Sequence, residues 1–164
     1  MTLSWDIFIL LAFVIMGVYG YLLGRSRVFG IMINSYVGFT VASYLGSYAY
    51  SYLSGITDIS HSFNLTMFGA KVFVFVAVLF VLILNKELSG TGDSSQSSIV
   101  TAIYGLLTAG LILSSVFSFM ADGERASLFS ASSLAIQVYN YQIFWLVAPI
   151  VLMTGLTVWN KVRR

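Results

Sequence analysis

Two apolar runs joined by an arginine turn constrain this chain more than any other feature. Residues 7–24 carry no charge, Arg25 and Arg27 follow, and residues 28–53 run back with no charge either. About 20 apolar residues in a helix match a hydrocarbon core of ~30 Å. In lipid each backbone N–H and C=O must be satisfied within the segment, and a helix does this. The pair predicts a helical hairpin made for a bilayer. The rest of the chain suits the same solvent. Of 164 residues, 59% are hydrophobic and 9% charged, where a soluble domain has about 25% charged. The expected fold is all-α, a polytopic transmembrane bundle formed as a single domain over residues 1–164.

The second run has a four-residue grain. Gly30, Asn34, Gly38, Ala42 and Gly46 form one row, and Tyr36, Thr40, Tyr44, Tyr48 and Tyr52 form the next. Ser35, Ser43, Ser47 and Ser51 lie beside both. Residues four apart share a helix face, and small residues on that face let helices approach closely in lipid. This span is therefore expected to be the hub of the bundle. Its partners are expected to be span one, through Gly20 and Gly24, or span four, through Gly105 and Ala109. Its length of about 39 Å as a helix exceeds the core, so it tilts, bends or protrudes. The crowded tyrosines read as an interfacial belt. Alternatively Tyr36, Thr40, Ser43 and Ser47 line a wet crevice.

Further spans are expected at 67–85, 99–120 and 143–159. The third, dense in Val, Phe and Leu, reads as a peripheral helix facing lipid. Its Lys71, one turn inside, either snorkels to the headgroups or pairs with Asp6 or Asp58. The fourth carries small residues at Thr101, Gly105 and Ala109 and again at Gly110, Ser114 and Ser118, and Asp122–Arg125 are expected to end it. Residues 126–142 hold serines among apolar residues, with no charge. They predict a helix that lies in the interface or partly re-enters before the last span. Pro149 is expected to kink that span, and Trp145 and Trp159 to mark its ends. Asp6, in the first turn of span one, is expected to meet the positive end of the helix dipole, or else to be a proton or cation site.

Basic residues set the orientation. Arg25, Arg27, Lys86, Lys161, Arg163 and Arg164 share one side of a five-span chain, and Arg125 lies on the other. Positive loops stay in the cytoplasm, which puts the N-terminus outside and the C-terminus inside. The first span lacks a basic leader and reads as retained.

The chemistry of an enzyme is missing. There is no HExxH, P-loop or GxGxxG, no cysteine, and one histidine, His61, in a polar connection. Asn64-Leu65-Thr66 matches a short glycosylation sequon. A serine nucleophile needs a base within reach, and no serine is tied by spacing to Lys71. No catalytic residue, metal site or cofactor is expected. The net charge of +2 is too small to suggest nucleic acid. The expected partners are the bilayer itself, further copies of the chain, or other components of a membrane complex.

With Asp6, the Gly24-Arg25 turn and Val41-Ala42-Ser43 in view, residues 3–53 resemble the colicin V production protein family. Leu88-Ser89-Gly90-Thr91 and the glycines at 105 and 110 are similar to its third loop and fourth span. The chain departs from the family in having Ala109 before Gly110, where an arginine is common, and in its fifth span. The resemblance implies a bacterial inner-membrane protein linked to export or envelope homeostasis. The leading expectation is thus a non-enzymatic accessory protein packed through Gly20, Gly24, Gly38, Ala42, Gly46, Gly105, Ala109 and Gly110. The alternative is a small channel or transporter using the polar faces of spans two and four. Its candidate polar or charged membrane positions are Asp6, Tyr36, Thr40, Ser43, Lys71 and Ser114. A phage-type pore former is a third reading, disfavoured by the number of spans.

Overall fold

The computed structural model describes residues 5–23, 25–55, 66–84 and 98–162. Among them are seven helices: α1 Trp5–Leu23, α2 Arg25–Ser54, α3 Met67–Leu84, α4 Ser98–Phe119, α5 Asp122–Ala131, α6 Ser133–Asn140 and α7 Gln142–Val162. The fold is an all-α helical bundle. Of these helices α1, α2, α3 and α4 are long and apolar enough to cross a membrane, and the bent pair α6–α7 makes a fifth crossing if it is one span. Gly24, Asp58, His61, Lys86 and the loop serines fall outside the described residues.

The helices alternate in direction. Gly20 of α1 meets Thr101 of α4 and Gly17 meets Leu106, while Ile9 clusters with Leu113. The two helices are therefore antiparallel. Gly38 of α2 meets Phe75 of α3, and Gly46 meets Lys71, which makes a second antiparallel pair. Val28 and Met32 cluster with Tyr104 and Leu111, and Phe39 stacks on Phe119, so α2 and α4 run together. The end at which α1 begins, the entry end, thus also holds the start of α3, the finish of α4, all of α5 and the start of α6.

The hub is α4, not α2. It packs against α1, α2, α3, α6 and α7, and more than half of it is buried. Its small and hydroxyl residues point all round: Thr101, Gly105, Thr108, Ala109, Gly110, Ser114 and Ser115 are all buried, so neighbours can approach from every side. The small row of α2 is buried as expected, but its glycines at 38 and 46 meet neither Gly20 of span one nor Gly105 of span four. Gly38 and Gly46 face α3, and Ala42 clusters with Phe75 of α3 and Phe119 of α4. The Phe75 ring would lie 3.1 Å from a Cβ at Gly38, and the Lys71 Cα 3.2 Å from one at Gly46. The physical reason is shape: a groove of small residues is filled best by large side chains, and the helix dense in Phe, Val and Leu supplies them. The same helix still exposes Phe73, Val76, Phe80, Val81, Ile83 and Leu84, so α3 is peripheral as well as a partner.

Two boundaries differ from expectation. Asp122–Arg125 do not simply end α4; they open α5, with Asp122 and Glu124 in its first turn, where carboxylates meet the positive end of the helix. The stretch 126–142 is not one helix. Ser132 is extended, with φ −147° and ψ 115°, and separates α5 from α6. The bend of 56° lies between α6 and α7, at Tyr141, and α7 continues through Pro149.

Candidate functional site

The densest set of cross-helix polar contacts lies at the entry end, where α1 and α4 hold the broken C-terminal segment. Serine at 132 is the kind of residue that leaves a helix and caps the next one. Its Oγ accepts from the N–H of Ala135 at 3.0 Å, and its O–H donates to Asp6 Oδ1 at 2.5 Å. Asp6 Oδ1 also accepts from the N–H of Leu134 at 3.2 Å. Two first-turn N–H groups of α6, which have no intrahelical partner, are thus satisfied by one hydroxyl and one carboxylate. Asp6 does sit in the first turn of its own helix, but the donors it meets belong to α6, 128 residues away in sequence.

A second node is built on Arg125. Its Nη1 donates to the Tyr139 hydroxyl at 2.9 Å and its Nη2 to the Met120 carbonyl at 2.7 Å. The guanidinium lies 4.7 Å from the Tyr139 ring centroid, and Asp122 pairs with it at 3.4 Å. This side chain ties the turn after α4 to the far end of α6. Gln142 Nε2 then donates to Ser118 Oγ at 3.0 Å, which fixes the start of α7 on α4.

Below this junction Trp145, near the start of α7, packs into the bundle. Its indole lies directly over Gly110, where any Cβ would overlap the ring. Its Nε1 donates to the Val138 carbonyl at 3.1 Å, and Phe13 packs on it with centroids 5.5 Å apart. The Trp159 side chain is outside the described set. Tyr36 donates its hydroxyl to the Leu146 carbonyl, close to Pro149, which has no N–H to offer the helix.

The remaining sequence-predicted positions are scattered. Gly20 and Gly105 form the α1–α4 seam with Gly17, and Ala109 is buried in α4. Thr40 and Ser43 are on the exposed side of α2, donating to the carbonyls of Tyr36 and Phe39 at 2.9 and 2.7 Å. Ser114 is buried in α4 and donates to Leu111 at 3.1 Å. Tyr36, Thr40, Ser43 and Ser114 are therefore not gathered around one space. Tyr44, Tyr48 and Tyr52 are largely exposed, in keeping with a belt. Lys71 lays its stem across Gly46 and is half-buried; among the described residues it makes no ion pair. Thr66, the last residue of the sequon, caps α3 by accepting from the Gly69 N–H at 3.0 Å.

Ser132, Arg125, Tyr139, Gln142 and Trp145 were not singled out by their sequence pattern as the residues that fasten this end. The one available signal was the serine pair 132–133 inside an apolar stretch, which reads as a cap once a helix break is allowed. Among the described residues no three His, Cys, Asp or Glu side chains come together. The chain matches no family model, no curated protein and no solved structure.

Proposed function

We propose that this chain is a non-enzymatic, multi-pass protein of the bacterial inner membrane that serves as an accessory to export or envelope homeostasis. One observation carries the non-conducting part of that reading. Several core hydroxyls are spent on their own helices: Ser35 on Ile31, Thr108 on Tyr104 and Ser115 on Leu111, at 2.7–2.8 Å. Hydroxyls bonded back to i−4 carbonyls need no water, and the α1–α4 seam beside them is closed at Gly20 and Gly105 with no room for a methyl group. Such packing suits a rigid membrane part. The export and envelope assignment rests on the likeness of residues 3–53 and 86–120 to the colicin V production protein family.

The test is solute flux. Purified protein in liposomes loaded with a small fluorophore and potassium should release neither faster than empty vesicles do. Release that rises with the amount of protein would replace this reading with the channel or transporter one.

The basic residues at 25, 27, 86, 161, 163 and 164 support a cytoplasmic C-terminus and an N-terminus outside. The chain has no cysteine, so a single one placed at Val162 reports without background. It should resist an impermeant thiol reagent added to intact cells and react once the cells are opened. Reaction in intact cells would overturn the cytoplasmic C-terminus and with it the five-span topology of this orientation.

A further inference from the structure

At the entry end, a recess of about 300 Å³ opens between the starts of α1 and α3 and the turn from α4 into α5. Trp5, Phe68, Met120 and Leu128 supply its apolar surface, and Glu124 and Ser127 its polar one. Binding recesses are typically apolar with a few placed polar groups, and this one has that make-up. Its walls are held by the nodes described above. Asp6, next to Trp5, is fastened to Ser132 and Leu134, and Arg125 grips the Met120 carbonyl. Arg125 is thereby turned to Tyr139 and Asp122 and does not line the recess. Glu124 makes no ion pair among the described residues, and the Ser127 hydroxyl donates to its backbone carbonyl at 2.7 Å. The recess therefore offers apolar surface beside one unpaired carboxylate.

We propose that the recess seats a phospholipid with an ammonium-bearing headgroup, its acyl chain against Trp5, Phe68, Met120 and Leu128 and its ammonium at Glu124. Position selects a lipid over other amphiphiles. Trp5 is the first residue of α1, Phe68 the second of α3, and Met120 follows the last of α4. All stand at helix ends, the level of headgroups when these helices cross a bilayer, and tryptophan favours that level. Charge selects the headgroup, because among the described residues the only ionisable side chain lining the recess is an acid. An anionic glycerol headgroup would be repelled where an ammonium is attracted. The seat depends on the membrane-spanning fold and not on the export reading.

The experiment uses the full chain in bilayers of a phosphatidylcholine host. Trace phosphatidylethanolamine or phosphatidylglycerol carries a photoactivatable group on its acyl chain, and labelled peptides are identified by mass spectrometry. The ethanolamine probe should label the peptides containing Trp5, Phe68, Met120 or Leu128 about two- to fivefold more than the glycerol probe, the selectivity one solvent-facing ion pair provides. Glu124→Gln, at an exposed position, should abolish that preference while leaving labelling of α3's outer face unchanged. Ser127→Trp, also exposed, should block the recess and reduce both probes there. Equal labelling by the two headgroups, or a preference that survives Glu124→Gln, would overturn the assignment, as would undiminished labelling in Ser127→Trp.

Discussion

Gly105→Leu is expected to lower the thermal midpoint of the detergent-solubilised protein strongly, and Gly105→Ala measurably. A Cβ at 105 would overlap the Met16 carbonyl oxygen and would come within 3.0 Å of its carbon and 3.4 Å of the Gly17 Cα. From the other side, a Cβ at Gly20 would lie 2.6 Å from the Thr101 carbonyl oxygen. These obstacles are backbone, so no side chain can swing away, and the helices must part. Overpacking typically costs ~1–3 kcal/mol, a large fraction of a stability of ~5–15 kcal/mol. In lipid the loss is not offset by a hydrophobic drive between helices, because association there rests on packing and hydrogen bonds. Gly38→Ala should cost less than Gly105→Ala, since its obstacles are side-chain atoms of Phe75 and Leu79. At Gly123 and Gly155 an added Cβ would meet nothing within 4 Å. Alanine there should be neutral or stabilising by about 0.5–1 kcal/mol, the helical penalty of glycine. A ranking in which Gly105→Ala is as mild as Gly123→Ala would show that α1 and α4 do not meet as described.

The contrast among these glycines shows what was legible in the sequence. Helix positions were, because apolar length and charge punctuation have physical scales: residues 67–85 became Met67–Leu84 and 99–120 became Ser98–Phe119. That Gly38, Ala42, Gly46 and Gly105 would be buried was also legible, since a smooth face has little other use in a bilayer. Which helix fills which face was not. A row of small residues specifies a groove without naming its occupant, and α3 competes for it with bulk instead of smoothness. The choice depends on shape across the chain, and local periodicity carries no record of it. The entry-end junction was hidden for a related reason. Asp6 was visible as a charge in a first turn, but its donors lie at residues 132 and 134, and no spacing rule links them. The chain from 126 to 142 showed its amphipathic mixture and concealed its break, because a single extended serine disturbs the pattern by one residue.

That junction yields the second large effect. Asp6→Ala should destabilise the protein, and Ser132→Ala should do so through the same contacts. Without the carboxylate, the Leu134 N–H and the Ser132 hydroxyl lose their acceptor at a place where Ser132 and Ala135 are buried. Hydrogen bonds to charged groups contribute about 1.5–3 kcal/mol, less where water can replace the partner, as on the open side of half-buried Asp6. Asp6→Asn should fall between wild type and Asp6→Ala, since its amide oxygen still accepts but carries no charge. Asp122→Ala, at a fully exposed side chain, is the control and should change little. Because Asp6 and Ser132 share one hydrogen bond, their effects should not add. The double variant should be milder than the sum of the single ones by ~0.5–3 kcal/mol, the range for residues in contact. A local readout separates this junction from general loosening. A cysteine at Ala135, whose side chain is 0% exposed, should react slowly with a maleimide in detergent when Asp6 is present and faster in Asp6→Ala. A cysteine at Ala109, deep in α4 and 2% exposed, should stay protected in both. Strict additivity of the two substitutions, or equal exposure of both cysteines in Asp6→Ala, would mean that the carboxylate does not hold α6 against α1.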